Sequence, residues 1–195
     1  MRIFIALDIG DAIRERIRLF VNGVEGFAPE VRFVRPESLH ITLKFIGEKP
    51  ADAVDRIKHA LSSVHSEPMQ IIFRGYGFFP SAKAPRVFWV GIESGPTLAS
   101  LARRVDETLQ TLNIPKEEHA FSPHLTLARA GSATPRQRKD GLNRRFQRLQ
   151  EKLASLPVPE FGTMTPHEFF LYQSEPSRGG SRYTKIARFA LSHNS

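Results

Sequence analysis

One pattern of six residues, Ser-x-His-apolar-Thr-Leu, occurs twice in the chain. The first copy contains His40 and Thr42, and the second contains His124 and Thr126. On a β-strand, side chains at positions i and i+2 point to one face and the side chain between them points to the other. Each histidine therefore shares a face with its threonine, while the apolar neighbours face a core. The repeat predicts two equivalent strands, one from each half of a single fold, that meet at a common site.

The residue types in this pattern suit proton transfer at a phosphate. An imidazole can give or take a proton near neutral pH, and a threonine hydroxyl can donate a hydrogen bond to a phosphate oxygen. If the two strands lie side by side across a cleft, a neutral imidazole can take a proton from water. The other imidazole, protonated, can give a proton to a leaving ribose oxygen. Hydroxyls and cations then hold the phosphate charge without a metal.

A purely structural role and a metal site both fit the pattern less well. A single His-x-Thr on a strand is usually a half-exposed polar face, and it is the duplication that favours an active site. A metal site would need a third or fourth ligand, commonly a carboxylate or another histidine. Neither copy has an Asp or Glu on the same strand face. We therefore expect no metal and no cofactor.

Composition indicates a globular protein with an anionic partner. The chain has 195 residues, of which 41% are hydrophobic, and a formal net charge of +8, which suits RNA, DNA or a phosphorylated small molecule. The absence of cysteine excludes disulfides, zinc–thiolate sites and thiol nucleophiles. No stretch approaches the roughly 18 apolar residues of a membrane helix. The apolar opening is too short for a signal peptide, and Asp8 interrupts it. We expect a cytoplasmic protein without a membrane partner.

Strand and helix patterns alternate along the whole chain. Helices are predicted at residues 11–21, 51–64, 96–112 and 135–156, and strands at residues 2–9, 31–34, 39–47, 69–79, 86–93, 124–130, 161–163, 165–173 and 184–191. Strand pairs that are adjacent in sequence, with helices inserted singly, favour an α+β fold with antiparallel sheets. We expect a single domain over residues 1–195, built as two packed lobes with pseudo-two-fold symmetry.

Longer blocks around the two motifs carry a resemblance to a known family. These blocks are the first strand at residues 2–7, the motif blocks at 33–47 and 123–129, the hairpin strand at 86–92 and the closing stretch at 172–191. Here the sequence resembles the two-histidine (2H) phosphoesterase superfamily, which is defined by paired His-x-Thr-x motifs. Within it, the chain is similar to the bacterial and archaeal RNA 2′,3′-cyclic phosphodiesterases, long called 2′-5′ RNA ligases.

The resemblance implies a bilobal α+β fold in which two antiparallel sheets face a central cleft and the helices lie outside. It also implies hydrolysis of an RNA 2′,3′-cyclic phosphate to a 2′-phosphate, with His40 as proton donor to O3′ and His124 as proton acceptor from water. Thr42, Thr126 and Arg129 would bind the phosphate. The same steps in reverse would form a 2′-5′ RNA linkage. From the residues alone, the two histidines have similar surroundings and either could be the donor.

Strand alternation places two basic residues near the motifs. Strict alternation puts Arg129 on the face opposite His124 and Thr126, so it reaches a phosphate only if the strand bends or bulges near Ala128. Lys44 falls on the same face as the first motif's histidine and threonine. There it would be either a phosphate contact or a solvent-facing charge.

Two other functions stay open. The same chemistry could act on a small nucleotide, either ADP-ribose 1″,2″-cyclic phosphate or 2′-5′ oligoadenylate. Alternatively, the chain could be a non-catalytic RNA-binding module whose basic stretch follows the RNA backbone. That stretch contains Arg129, Arg136, Arg138, Lys139, Arg144, Arg145, Arg148 and Lys152.

We expect the protein to be a monomer.

Overall fold

The structure, a computed structural model, describes residues 1–131 and 144–191. The strands are β1 (Arg2–Asp8), β2 (Val31–Phe33), β3 (His40–Glu48), β4 (Ile71–Phe79), β5 (Val87–Ser94), β6 (His124–Ala130), β7 (Glu160–Met164), β8 (Glu168–Ser177) and β9 (Gly180–Ala190). The helices are α1 (Asp11–Val24), α2 (Ala51–Leu61), α3 (Pro96–Gln110) and α4 (Gln147–Ala154). A short 3₁₀ turn, Pro36–Ser38, precedes β3.

The strands form two antiparallel sheets, as the sequence predicts. The first sheet has four strands in the order β3-β1-β8-β9, and the second has five in the order β2-β6-β5-β4-β7. The two motif strands therefore lie in different sheets, and β3 contacts β6 where the sheets approach each other. The predicted α+β architecture with paired antiparallel sheets is confirmed.

Strand β1 of the first sheet is buried on both faces, with a different environment on each. Ile3, Ile5 and Leu7 of β1 are fully buried in the main core, and the apolar faces of the helices pack into the same core. The alternate side chains of β1, Phe4 and Ala6, pack instead with a small aromatic cluster on the other face of the sheet. This second face also carries the first motif, because the Phe4 ring lies 4.8 Å from the ring of His40, centroid to centroid.

Several element boundaries differ from the prediction, among them those of β9 and α4. Strand β9 begins at Gly180, before the predicted residue 184, because backbone pairing with β8 continues to Ser177 and Gly180 at the hairpin end. Polar residues fill this stretch, so hydrophobic alternation does not reveal it. The helix predicted at 135–156 is observed as Gln147–Ala154, and residues 135–143 of that prediction lie outside the described residues.

Both motif strands contain a β-bulge directly after the threonine. In β3, Thr42 pairs with Ala6 and Lys44 pairs with Ile5 of β1, so Leu43 is an extra residue. In β6, Thr126 pairs with Trp89 of β5, the next pair is Ala128 with Phe88, and Leu127 is the extra residue. A bulge of this kind interrupts the alternation of faces. The third residue after each threonine therefore returns to the face of the histidine and threonine.

The bulge in β3 overturns the prediction for Lys44. Instead of sharing the motif face, Lys44 is 5% exposed, and its Nζ donates to Asp106 Oδ1 of α3 at 2.7 Å and to the carbonyl of Pro115 at 2.8 Å. Asp106 also accepts a hydrogen bond from the backbone N–H of Glu117. The lysine thus ties β3 to α3 and to the 115–117 segment. Strict alternation would place Phe45 on the apolar face with Ile41, but it is half exposed.

The Lys44–Asp106 pair predicts a large loss of stability when one partner is removed. An ammonium left buried without its carboxylate is costly, so Asp106→Ala should lower the free energy of unfolding by about 3–5 kcal/mol, measured by urea denaturation. The matched control is Asp52→Ala, which breaks an exposed pair with Arg56 on α2 and should cost about 0.5 kcal/mol or less. Similar losses in both variants would contradict this assignment.

Candidate active site

The two motif histidines are held by the same hydrogen bond. Each is the first residue of its strand, and its Nδ1 lies against the carbonyl oxygen two residues earlier: Ser38 for His40 at 2.7 Å, and Ser122 for His124 at 2.8 Å. Because a carbonyl oxygen only accepts, Nδ1 carries the proton and donates it in both rings. In both rings, Nε2 is therefore the atom available for proton exchange with a ligand.

The folded chain brings all of the predicted site residues to one cavity. A cavity of about 340 Å³ is lined by both motif pairs, His40 with Thr42 and His124 with Thr126, and by Arg129. Arg129 reaches this face because of the bulge at residue 127. A bend or bulge near Ala128 was the requirement that the sequence analysis gave for Arg129 to reach the site. The cavity holds two imidazoles, two hydroxyls and one guanidinium, a set of groups that can bind and protonate a phosphate.

The two histidines differ in their surroundings, which the sequence did not reveal. The ring of His40 lies 4.8 Å from Phe4 and 5.1 Å from Tyr183, centroid to centroid. The ring of His124 contacts Phe79 edge-on at 4.9 Å. Burial lowers the pKa of His40; the hydrogen bond to the Ser38 carbonyl opposes this, and the positive charge of Arg129 lowers the pKa further.

A polar network supports His40 from the neighbouring strand. Asp8 of β1 pairs directly with His40 across the sheet, and its carboxylate accepts hydrogen bonds from Lys185 and, at 2.7 Å, from Arg14. Arg14 also donates to the carbonyl of Pro36 at 2.6 Å, in the turn whose last residue holds the His40 ring. Burial raises the pKa of Asp8, but the hydrogen bonds from Lys185 and Arg14 outweigh it, so this pKa is lowered and the carboxylate stays charged.

Sequence reasoning missed this network, although one signal was present. Asp8 was noted only as the charge that interrupts the short apolar opening of the chain. A carboxylate at the end of a buried strand needs a partner. Here one partner, Arg14, is near in sequence on α1, and the other, Lys185, comes from the distant β9.

A second cavity, of about 570 Å³, adjoins the first and was not anticipated. The two share His40, Thr42, Arg129 and Tyr183, but His124 and Thr126 do not line the larger one. Its additional basic lining residues are Arg2, Arg32 and Arg35. The site is therefore continuous with a wider space that opens on the His40 side.

The basic stretch at residues 129–152 is only partly described. Arg136, Arg138 and Lys139 lie outside the described residues. Arg145 has a side chain that is 8% exposed and donates to the carbonyl of Gly131, and Lys152 lies over the ring of Phe27. The RNA track proposed for this stretch stays a prediction.

Residues 1–131 and 144–191 contain no group of three or more His, Cys, Asp or Glu side chains arranged to hold a metal ion. Within the same two ranges, no helix has the length and apolar character needed to cross a membrane.

The field of Arg129 predicts a measurable shift at His40. Because the guanidinium charge lowers the pKa of His40, Arg129→Gln should raise that pKa, followed by NMR titration of the ring. Arg103→Gln, which removes an exposed arginine from α3, should leave the titration of His40 unchanged. An unchanged or lower His40 pKa in Arg129→Gln would show that the two groups are not coupled as described.

Comparison with known proteins agrees with this geometry. A sequence model described as "LigT like Phosphoesterase" matches residues 7–89 and 90–179, so each match contains one histidine motif. A protein of Archaeoglobus fulgidus is 33% identical over 97% of this chain and 99% of its own length, and one of Methanothermobacter thermautotrophicus is 31% identical over 98% and 99%. Both relatives are named RNA 2′,3′-cyclic phosphodiesterase.

Solved structures show the same likeness. The crystal structure of E. coli LigT complexed with 3′-AMP superposes with a TM-score of 0.76 at 27% identity, covering 98% of each chain. The crystal structure of a Thermus thermophilus protein gives a TM-score of 0.75 at 27% identity, also over 98% of each chain. With the family match spanning both halves of the fold, this chain belongs to the LigT-like phosphoesterases, and the 2H relationship predicted from its paired motifs is confirmed.

Proposed function

We propose that this protein hydrolyses RNA 2′,3′-cyclic phosphate ends to 2′-phosphates without a metal. The observation that carries the proposal is the shared cavity, in which both motif histidines and both motif threonines lie with Arg129. The relatives named RNA 2′,3′-cyclic phosphodiesterase support the same substrate class. One domain acting as a monomer is enough for this reaction, because both halves of the site come from one chain.

The phosphate is bound by hydroxyls and one cation. Thr42 and Thr126 donate hydrogen bonds to its non-bridging oxygens, and the Arg129 guanidinium holds its negative charge. Fixed donors of this kind stabilise the charge that develops on the phosphoryl oxygens in the transition state. Neither a metal nor a cofactor is needed for the reaction.

The two histidines divide the proton transfers. His124 takes a proton from water as the water oxygen bonds to phosphorus. His40 gives a proton to O3′ as the P–O3′ bond breaks, which leaves the phosphate on O2′. Attack in line with the leaving oxygen places these two steps on opposite sides of the phosphorus.

The shape of the cleft favours His40 as the donor. The larger cavity adjoins His40 and is not lined by His124, so the ribose and the preceding part of the substrate fit on the His40 side. The leaving O3′ then lies nearest His40, and the attacking water comes from the side of His124. This assignment agrees with the one implied by the resemblance.

The lowered pKa of His40 matters for this role. In the free protein, burial and then the charge of Arg129 disfavour the imidazolium. A bound anionic phosphate offsets the charge of Arg129 and adds an attraction of its own, so the substrate raises the pKa of His40. Substrate binding therefore favours the protonated His40 that donates to O3′, and the pH dependence of kcat/KM should be bell-shaped.

The same steps in reverse would join a cyclic phosphate to a 5′-hydroxyl as a 2′-5′ linkage. Water is present in large excess over any RNA end, so hydrolysis predominates. We treat ligation as a secondary activity of the same site.

Product analysis tests the proposed reaction. An oligonucleotide ending in a 2′,3′-cyclic phosphate, incubated with the protein in excess EDTA, should yield a 2′-phosphate end. His40→Ala and His124→Ala should each lower the rate by about 10²–10⁴-fold. His59→Ala, which removes an exposed histidine from α2, should have no effect. An exclusive 3′-phosphate product, or retained activity in both site variants, would reject the mechanism.

The substrate class is tested with the same protein. Turnover of ADP-ribose 1″,2″-cyclic phosphate or 2′-5′ oligoadenylate, with none of the RNA end, would assign the site to a small nucleotide. RNA binding that survives both histidine substitutions, with no product from any cyclic phosphate, would identify a non-catalytic binding module.

The donor assignment makes a separate prediction. If sulfur replaces O3′ in the cyclic phosphate, the leaving thiolate is much less basic than an alkoxide and needs no proton donor. His40→Ala should then regain most of its lost rate with the sulfur substrate, and His124→Ala should not, as measured by the initial rates of the four combinations. Recovery in His124→Ala alone would reverse the two roles.

A further inference from the structure

The larger cavity has no carboxylate to balance its arginines. Among the described lining residues, Arg2, Arg32, Arg35 and Arg129 are basic and none is Asp or Glu. Arg35 forms an exposed pair with Glu37 at 3.7 Å, whereas Arg2, Arg32 and Arg129 have no ion pair with a described carboxylate within 4.0 Å. A volume of about 570 Å³ lies within the usual range for a ligand site. The cavity is therefore an electropositive space large enough for part of a substrate.

Two of these arginines are direct neighbours across a sheet. Arg32 of β2 is the cross-strand partner of Arg129 of β6, so the two side chains leave the same face of the sheet at neighbouring positions. Like charges placed directly opposite each other are destabilising. An anion bound between or beside the two guanidinium groups would offset that repulsion. The Arg32–Arg129 pair therefore favours binding of an anion in this cavity.

Other residues around the cavity contact the arginine side chains or add further hydrogen-bond donors. The guanidinium of Arg2 lies over the ring of Phe45, 5.1 Å from its centroid, so the exposed phenyl ring supports a cation. A Cβ placed on Gly180 would be 3.8 Å from Cδ of Arg32, so the Arg32 side chain lies against the β8–β9 turn. The hydroxyl-bearing residues Ser174 and Ser181 line the same space. Both sheets thus contribute donors to one volume.

We propose that this cavity is a second phosphate site, formed by Arg2, Arg32 and Arg35, for the phosphate on the 5′ side of the terminal cyclic nucleotide. The inference rests on the proposed function and makes it more specific. With the cyclic phosphate bound at the two threonines and O3′ toward His40, the ribose extends into the larger cavity. The preceding phosphate then meets the arginines. The preferred substrate has at least this second phosphate, and a cyclic mononucleoside phosphate lacks it.

Three substrates that share one nucleoside test the site. They are adenosine 2′,3′-cyclic phosphate, the same compound carrying a 5′-phosphate, and the dinucleotide ApA ending in a 2′,3′-cyclic phosphate. A charge-assisted hydrogen bond from arginine to phosphate is strong enough to change binding about tenfold or more. The kcat/KM values of the second and third substrates should therefore exceed that of the first by at least about tenfold. The third differs from the second by a further adenosine, which makes the phosphate a diester instead of a monoester.

Arginine variants locate the source of this preference. Arg32→Gln, Arg2→Gln and Arg35→Gln should each reduce the ratio of kcat/KM between the dinucleotide and the mononucleotide, by about tenfold for Arg32→Gln. The mononucleotide serves as an internal reference for folding and chemistry. The matched control is Arg182→Gln, which removes an exposed arginine from β9 that does not line the cavity, and it should keep the wild-type ratio.

The outcomes separate this proposal from the proposed function. Equal kcat/KM for all three substrates would overturn the second site while leaving the hydrolase intact. The proposal would also be overturned if the dinucleotide were preferred while the 5′-phosphate gave the mononucleotide no gain in kcat/KM. A preference for the dinucleotide that persists in all three arginine variants would overturn it too. Absence of turnover with every cyclic phosphate would instead reject the proposed function.

Discussion

Each motif strand contains one extra residue after its threonine, and the arrangement of the cleft depends on that insertion. Leu43 has no partner on β1 and Leu127 has none on β5, so two consecutive side chains turn inward at each bulge. The next residue then returns to the face of the histidine and threonine. In a regular strand, Arg129 would point away from the cavity and Lys44 would point into it. A single residue in the register thus decides which cation lines the cavity.

The two bulges are equivalent, but the residues after them are not. Phe45 follows the first bulge and supports Arg2, whereas Arg129 follows the second and lines both cavities. The histidines diverge in the same way, since His40 lies against an aromatic cluster and His124 meets one ring edge-on. A duplicated motif therefore becomes a site with two chemically different ends. In the proposed mechanism, that difference distinguishes the imidazole that donates a proton from the one that accepts it.

Local sequence patterns predicted most elements, and their failures have a common cause. Residues 124–130 were expected as a strand, and β6 spans His124–Ala130. Lys44 was placed on the wrong face because alternation counts residues along one strand, whereas a bulge is set by the partner strand. The start of β9 was missed for a related reason, since that stretch is held by hydrogen bonds to β8 and not by an apolar face. In each case the missing information lay in the pairing partner.

The paired histidines and threonines, the absence of cysteine and the positive charge can be established from the chain alone, because they depend on residue type and on neighbours in one strand. The tertiary structure supplied the rest: Asp8 opposite His40, Arg32 opposite Arg129, and the burial that lowers the pKa of His40. These contacts join segments that are distant in sequence. The electric field and the solvent exposure at a side chain depend on every group packed around it. Both are therefore determined only when the strands have paired.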